Sequence, residues 1–213
     1  NNGCYWSVRN YSVVGTSETA IMGYLRVGET LAVVKEDNGQ DSTIFIRSGS
    51  IGTDNEAKFV IKPTISGTGG VSKFGFGNID NEQLFLTGNG VYALTSNLLT
   101  AEKIVQNRSL RVDPKLTNET LSEAITISFR NYFMIFINNQ VYGLDGVQPK
   151  AYINRQDTAF LYECFYWTNI PATCVMKVVN EGEEQLYFGT ADGKVCKFNY
   201  DYNGTNRFND NGE

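Results

Sequence analysis

The chain has 213 residues and carries 18 Lys plus Arg against 23 Asp plus Glu, which gives a formal net charge of −5. This balance disfavours a nucleic-acid binder that works through phosphate contacts, because such proteins use a surplus of basic residues. The sequence contains no His, which excludes Ser-His-Asp and Cys-His catalytic pairs and His-ligated metals. No apolar run approaches the roughly 20 residues that a membrane-spanning helix needs.

The composition favours short antiparallel strands joined by tight turns. The 21 Gly and 22 Asn residues tolerate the positive φ of such turns, and the 12 Tyr and 13 Phe residues are favoured in strands. The first strand signal, at residues 4–8, stands apart from any hairpin. Because the sequence begins with Asn1 rather than Met and shows no signal-peptide core, we expect a processed chain or part of a longer one.

Four hairpins follow along the chain, each made of an apolar strand, a turn rich in Gly or Asn, and a second strand. Phe45, Tyr92, Tyr142 and Cys196 hold equivalent places in the second strands, and their successive spacings are 47, 50 and 54 residues. A period near 50 that is built from hairpins is typical of β-propeller blades. The hairpins span residues 31–46, 84–94, 133–144 and 186–198.

Flanking apolar segments supply the remaining strands of each blade. Residues 133–137 are apolar at every position, which predicts a strand buried on both faces; a β-sandwich strand would alternate instead. Residues 113–122 have a Pro near their start and early acidic residues, which predicts a short helix or helical turn between blades. The predicted inner strands are 73–76, 124–129 and 174–179, and the predicted outer strands are 58–61, 103–106 and 160–167.

The sequence therefore predicts an all-β fold: a single β-propeller domain or propeller fragment over residues 1–213, with blades of four antiparallel strands. About three and a half to four blades are present. Either residues 4–8 complete the last blade and close a four-bladed ring, or the chain is an arc of a ring of about six to eight blades. We favour the arc, because the first Met is missing and the last residues are polar. The predicted blades are residues 20–66, 71–110, 123–170 and 173–213.

Several segments together resemble a blade of bacteriophage structural propellers. The family comprises minor structural, tail and head–tail proteins of tailed phages, including the packaged-DNA stabilisation type. The resemblance covers roughly residues 70–213, and the combination of segments carries it, because the Gly-Thr-x-Asp-Gly-x-Val motif of 189–195 recurs in many propellers. The segments are 109–114, 124–126, 131–135, 141–145, 164–171 and 186–195.

This resemblance implies a non-enzymatic structural component of the virion, near the tail or the head–tail junction. It implies contacts with other virion proteins in a symmetric multi-copy assembly. It brings no cofactor, no metal and no catalytic residue. We expect no direct binding to nucleic acid and no membrane association, and an acidic surface would let DNA pass without adhering.

Two adjacent aromatic pairs, Tyr5-Trp6 and Tyr166-Trp167, are the candidate partner contacts. Tyr and Trp anchor protein partners and stack on sugars, because their rings combine apolar area with a polar tip. The alternative is that these rings pack between blades or at the rim. The same pairs support a second hypothesis, a propeller module that binds a glycan or a host receptor.

A propeller enzyme of glycosidase or quinoprotein type is the weakest hypothesis. A glycosidase needs two carboxylates about 5–10 Å apart across the sugar, and the sequence does not bring the candidates Asp145, Asp157 and Glu163 together. Asp145 and Asp192 lie in Asp-Gly turns, where an Asp side chain usually caps its own backbone. The acidic segment 37–41 lacks the alternating ligands and terminal Glu of an EF-hand calcium loop, so we expect a solvated hairpin turn there. The four cysteines lack CxxC spacing, and we expect buried free thiols rather than a zinc site.

Overall fold

The computed structural model describes residues 11–53, 57–96, 103–148, 150–153 and 159–198. The predicted all-β fold is confirmed, because the strands form successive antiparallel sheets whose strands pair in chain order. Three of these sheets have four strands, and a further sheet has three strands within the described residues. The four-stranded antiparallel sheet is therefore the repeating unit, as in the blades of a propeller.

The sheets are numbered here in chain order. Sheet 1 contains β1 (Ile21–Val27), β2 (Thr30–Lys35), β3 (Ser42–Ile51) and β4 (Ala57–Ser66). Sheet 2 contains β5 (Phe76–Ile79), β6 (Glu82–Thr87), β7 (Gly90–Ser96) and β8 (Lys103–Asn107). Sheet 3 contains β9 (Ile125–Phe129), β10 (Tyr132–Ile137), β11 (Gln140–Asp145) and β14 (Glu163–Thr168), with the small pair β12 (Ala151–Tyr152) and β13 (Phe160–Leu161) inserted before β14. Sheet 4 contains β15 (Cys174–Asn180), β16 (Glu183–Gly189) and β17 (Val195–Lys197).

The sheets stack face to face in chain order, and β10 shows this most clearly. Phe133 and Ile135 belong to a core shared with sheet 2, whereas Met134 and Phe136 belong to a core shared with sheet 4. Alternate side chains of a strand point to opposite faces, so both faces of sheet 3 are covered. The prediction that residues 133–137 are buried throughout is confirmed.

The first strands of successive sheets lie side by side, β1 against β5, β5 against β9, and β9 against β15. Between β5 and β9 the backbone N–H of Asn78 donates to Ser128 Oγ at 2.7 Å. A Cβ on Gly77 would come within 2.6 Å of that same Oγ, so only glycine permits this approach. No comparable contact joins the fourth strands within the described residues, so the sheets converge at their first strands and diverge outward.

The wedge between the outer parts of sheets 2 and 3 is filled by a helical segment. The helix α1 (Asp113–Leu116) and a 3₁₀ turn (Leu121–Glu123) lie between β8 and β9. Leu116 and Leu121 are buried in the core that the two sheets share. The predicted helical turn between blades is confirmed, and it compensates for the divergence of the sheets.

Two predicted strands differ from the observed ones. The predicted inner strand 73–76 begins only at Phe76. Ser72 makes a turn there: its hydroxyl oxygen accepts the N–H of Phe74 at 3.1 Å, and its backbone carbonyl accepts the N–H of Gly75 at 3.2 Å. The predicted outer strand 160–167 is interrupted at Tyr162. The predicted strand at residues 4–8 lies outside the described residues.

The two ends of the stack do not cover each other. Met176 and Val195 of sheet 4 are 58% and 78% exposed, and Phe59 of sheet 1 is 63% exposed. The described residues therefore form an arc of four stacked sheets.

Candidate functional site

The candidate contact residues Tyr166 and Trp167 lie on β14, the edge strand of sheet 3. As neighbours on one strand they point to opposite faces. The Trp167 ring lies 4.5 Å from the Phe165 ring and 6.1 Å from the Phe198 ring, between centroids. Trp167 is half-buried in the core between sheets 3 and 4, which favours the packing alternative for this ring.

Tyr166 faces the other way, towards helix α1. Its hydroxyl donates to Gln140 Oε1 at 2.7 Å, and Lys115 Nζ lies 3.3 Å from the centre of its ring. The hydroxyl of the adjacent Tyr142 donates to Glu119 Oε1 at 2.9 Å. Burial, and then the hydrogen bond and charge of Glu119, raise the pKa of Tyr142 well above its usual value.

An exposed ion pair lies at the other end of β14, three residues before Tyr166. Arg111 Nη1 pairs with Glu163 Oε2, and each side chain is 42% exposed. We call Arg111, Lys115, Glu119, Glu163 and Tyr166 the rim patch. Arg and Tyr are enriched among residues that dominate the binding energy of protein interfaces, so the patch has the chemistry of a protein contact. A role in partner or glycan binding stays a prediction for Tyr166 and Trp167, and Tyr5 and Trp6 lie outside the described residues.

The carboxylates suggested for a glycosidase are held by protein groups. Asp145 and Glu163 are directly paired across β11 and β14, which the sequence did not indicate. Asp145 Oδ1 accepts the N–H groups of Val147 at 2.7 Å and Gln148 at 3.3 Å, and Glu163 is bound to Arg111. Asp157 lies outside the described residues.

The predicted backbone cap is confirmed at Asp145, Asp37 makes one as well in its hairpin turn, and Asp192 is held mainly by side chains. Asp37 Oδ1 accepts the N–H of Gly39 at 2.8 Å. Asp192 accepts a hydrogen bond from the Thr190 hydroxyl and pairs with Lys194 Nζ at 2.5 Å. The hydrogen bond from Lys194, and then the one from Thr190, lower the pKa of Asp192.

A buried polar network that the sequence did not reveal joins sheet 2 to the insertion of sheet 3. Arg108 is fully buried, and its Nε and Nη2 donate to the Glu82 carboxylate at 2.8–3.1 Å. Its Nη1 donates to the carbonyl of Phe160 at 3.1 Å, and the Tyr162 hydroxyl donates to Glu82 Oε2 at 2.8 Å. Burial and the Glu82 charge raise the pKa of Tyr162 strongly. Glu82 and Tyr162 are 80 residues apart, so no local pattern relates them.

A second buried network fixes helix α1 to sheet 2. Asp113 Oδ1 accepts from the Ser109 hydroxyl at 2.5 Å, and Asp113 Oδ2 accepts from Asn107 Nδ2 at 2.6 Å. The Ser109 hydroxyl oxygen accepts the N–H of Val91 at 2.7 Å. The carboxylate thus ties the helix start to the hairpin of β6 and β7.

The described cysteines do not form disulfides. Cys164, Cys174 and Cys196 are free, as predicted, but the predicted burial is wrong, because Cys164 and Cys196 are half-buried and Cys174 is exposed. Burial raises the pKa of Cys164 to about 12, which keeps its thiol protonated and unreactive at neutral pH. In the described part of the chain, no cluster of His, Cys, Asp or Glu is arranged to hold a metal ion. No helix there has the length and apolar character needed to cross a membrane.

Comparison of the sequence with protein-family models finds no match, and comparison with curated proteins finds no similar sequence.

Proposed function

We propose that this chain is a non-enzymatic structural component of a tailed-phage virion, a propeller scaffold near the tail or the head–tail junction that mediates protein–protein assembly. The phage assignment rests on the resemblance of residues 70–213 to phage structural propellers. The partners are other virion proteins, arranged around the symmetry axis of the particle.

The proposed scaffold role rests mainly on the hydrogen bonding of the buried polar side chains. Each buried polar or charged residue in the described part of the chain is hydrogen-bonded to another protein group, whereas the half-buried Arg47 keeps one buried nitrogen, Nη2, without a partner there. An enzyme usually holds some buried polar groups ready for its substrate. Here Ser72 and Arg108 bond to carbonyls of Ala124 and Phe160, beside or within sheet 3, and the others hold turns, loops and helix α1 to their own sheets, which suits a stiff support. The residues are Lys35, Thr43, Ser72, Thr87, Arg108, Ser109 and Asp113.

The rim patch supports the assembly role. In it Lys115 lies over the Tyr166 ring, Glu119 accepts from the neighbouring Tyr142 and Arg111 pairs with Glu163, so both signs of charge and an aromatic ring lie along helix α1 and β14. Such mixed surfaces fix the register of a protein partner more than they recognise a polyanion. The net charge of −5 points the same way, since DNA binding needs a basic surface.

Mass spectrometry of purified phage particles from the source cells tests this proposal. Trypsin cleavage after Lys115 and Arg130 releases residues 116–130, a segment that contains no other Lys or Arg. We expect this peptide to sediment with intact particles in a density gradient, at a constant ratio to the major capsid protein. Peptides of an abundant host cytosolic protein serve as the contamination control. Recovery of residues 116–130 only in the soluble fraction would contradict the proposal.

A further inference from the structure

A segment without regular structure crosses the outer face of sheet 1, the face turned away from sheet 2. Residues 11–20 contain no helix or strand, and none of them is buried. Cross-strand pairing places Val33 beside Phe45 on this outer face, with Lys35 two residues further along β2. All three are nonetheless buried, with exposures of 4%, 7% and 2% respectively. Residues 14–16 cover them, and we call these three residues the strap.

The strap takes the place that a neighbouring sheet holds elsewhere in the stack. Phe45, Tyr92 and Tyr142 occupy equivalent positions in the third strands of sheets 1, 2 and 3. Tyr92 packs against the core shared with sheet 1, and Tyr142 lies in the core shared with sheet 2. Phe45 is covered by the strap instead: a Cβ on Gly15 would lie 2.8 Å from its ring. A sheet of any origin therefore cannot pack on Phe45 while the strap is in place.

Polar contacts hold the strap on the sheet. Lys35 Nζ donates to the carbonyl of Val14 at 3.1 Å and to the carbonyl of Thr16. One ammonium thus binds the backbone on both sides of Gly15. The Thr16 hydroxyl donates to Asp41 Oδ2 at 3.0 Å. Hydrogen bonds from a charged group are stronger than neutral ones, so Lys35 is the main attachment of the strap.

The residues around the strap add little to this attachment. Tyr11 and Val13, which precede it, are 76% and 68% exposed. The backbone hydrogen bond that joins the segment to sheet 1 comes after the strap, where the Glu36 N–H donates to the carbonyl of Ala20 at 2.9 Å. Segments that bury little apolar surface open at a free energy well below that of global unfolding. Opening of the strap should therefore leave sheet 1 folded.

We propose that the strap is a cap that opens locally on sheet 1, with Lys35 as its clasp, and that its opening uncovers the apolar surface of Val33 and Phe45. When closed, the strap keeps water and any stacking sheet away from this surface. When open, it presents an apolar sheet face of the kind that the internal junctions bury. The strap thus controls access to this face. This inference goes beyond the proposed function, because it concerns sheet 1 alone and requires no virion.

Chemical acetylation of the purified chain measures the opening, because Lys35 Nζ lies under the strap. The N-hydroxysuccinimide ester of acetic acid acetylates an accessible lysine amine, and mass spectrometry of peptides compares Lys35 with the exposed Lys73. We expect Lys35 to react at least about tenfold more slowly than Lys73. Equal rates would show that the strap does not cover Lys35 and would overturn the proposal.

Urea at concentrations below the unfolding transition separates local from global opening. The dependence of an opening reaction on urea scales with the surface that it exposes. Local opening of the strap predicts an acetylation rate of Lys35 that is nearly independent of urea in this range. A rate that rises with urea as steeply as global unfolding does would overturn the proposal.

Two glycine substitutions provide a matched comparison. Gly15 and Gly28 both have positive φ, 64° and 61°, so an Ala strains the backbone at either position. The Cβ at position 15 also overlaps the Phe45 ring, whereas a Cβ at position 28 meets nothing within 4 Å. Gly15→Ala should raise the acetylation rate of Lys35 by about fivefold or more, and Gly28→Ala should leave it unchanged. Equal rates in the two variants would mean that Lys35 does not react through the strap, and would overturn the proposal.

Removal of the clasp tests the role of Lys35 itself. Lys35→Met keeps the apolar length of the side chain but cannot donate to the two carbonyls. Chymotrypsin cleaves after Tyr11 only when the following residues leave the sheet, so this substitution should raise the cleavage rate by about tenfold or more. Lys73→Met, which removes an exposed lysine, should leave the rate unchanged. Cleavage of Lys35→Met at the wild-type rate, with an unchanged circular dichroism spectrum, would contradict the clasp.

Discussion

Arg108 is a buried charge that is held by several partners. Its guanidinium is fully buried and bonds to Glu82, Gln106 and the carbonyl of Phe160. Removing one partner of such a pair leaves an uncompensated buried charge, whereas an exposed pair contributes little because water screens it.

The residue-scale consequence is a contrast between two Glu→Gln substitutions. Glu82→Gln should lower the free energy of unfolding by about 3–5 kcal/mol, because Arg108 keeps its charge in a dry site. Glu163→Gln, at the exposed pair with Arg111, should change it by less than about 1 kcal/mol. Urea unfolding of both variants measures the difference, and equal effects would show that Arg108 is not buried as described.

Close packing around Gly143 supports a second contrast. A Cβ on Gly143 would overlap the ring of Phe165, which packs against Trp167, whereas a Cβ on Gly88 would meet nothing within 4 Å. Gly143→Ala should therefore lower the free energy of unfolding by about 1–3 kcal/mol. Gly88→Ala, the matched control at a turn without positive φ, should be neutral or raise it by up to about 1 kcal/mol. Thermal unfolding of both variants measures the difference in stability. A Gly143→Ala variant as stable as wild type would contradict this packing.

Three buried groups with raised pKa values predict a loss of stability at alkaline pH. Cys164, Tyr142 and Tyr162 have folded-state pKa values above their ordinary values of 9.0 for the thiol and 10.0 for the phenols. Their contribution is complete below the ordinary pKa and is lost as the pH rises above it, because the unfolded chain then releases protons that the folded chain retains. The melting temperature should fall from about pH 9 upward.

Substitution of one phenol isolates this effect. Tyr162→Phe should make the decline with pH shallower, while Tyr152→Phe, whose side chain is 62% exposed, should leave the slope unchanged. Melting curves at several pH values between about 8 and 11 measure both. A melting temperature that stays constant across this range would show that these groups ionise as freely in the folded chain as in the unfolded one.

At the scale of elements, β10 is a strand covered on both faces. Ile135 and Phe136 are neighbours, yet each is buried in a different core. Ile135→Ala and Phe136→Ala should both lower the free energy of unfolding, by about 2–5 and 3–5 kcal/mol respectively. Val179→Ala, on an exposed part of β15, should stay within about 0.5 kcal/mol of wild type. In a sheet with one wet face, one of the two β10 substitutions would be tolerated, and that result would argue against stacked sheets.

The sequence predicted the elements that depend on local patterns. The hairpin repeats predicted the four sheets, and the unbroken apolar run at 133–137 predicted a strand covered on both faces. The Pro at 114 predicted the helical turn that became α1. Each of these features follows from spacing of apolar residues or from turn chemistry.

The remaining features depend on contacts between distant segments. Positive φ at Asp80, Arg130 and Glu181 was not predicted, because Gly and Asn are the usual residues there; each is the first residue of a two-residue hairpin connection, whose favoured turns have positive φ. The Ser72 hydroxyl, which helps to turn residues 73–75 away from a strand, also donates to the carbonyl of Ala124, just before β9 of the next sheet. The contacts of Tyr166 with helix α1 and of Trp167 with the core of sheets 3 and 4 likewise depend on what lies on each side of β14.

At the scale of the whole molecule, the sheets stabilise one another by sharing faces. Sheets 2 and 3 each have two covered faces, while sheet 4 has one covered and one open face. Cooperative stability should therefore be greatest in the middle of the stack and lower at sheet 4, because amides open less often where more apolar surface must be exposed.

Hydrogen exchange followed by mass spectrometry tests this stacking most directly. The comparison is between β10 and β16, which both have hydrogen-bonded strands on their two sides and differ in how many faces are covered. The Met176→Asp variant is the sample, so that the open face of sheet 4 stays uncovered even if the wild-type chain self-associates. Stacked sheets predict that the amides of β10 exchange at least tenfold more slowly than those of β16, about 1.4 kcal/mol or more in opening free energy. Equal exchange in the two strands, or faster exchange in β10, would contradict the stack.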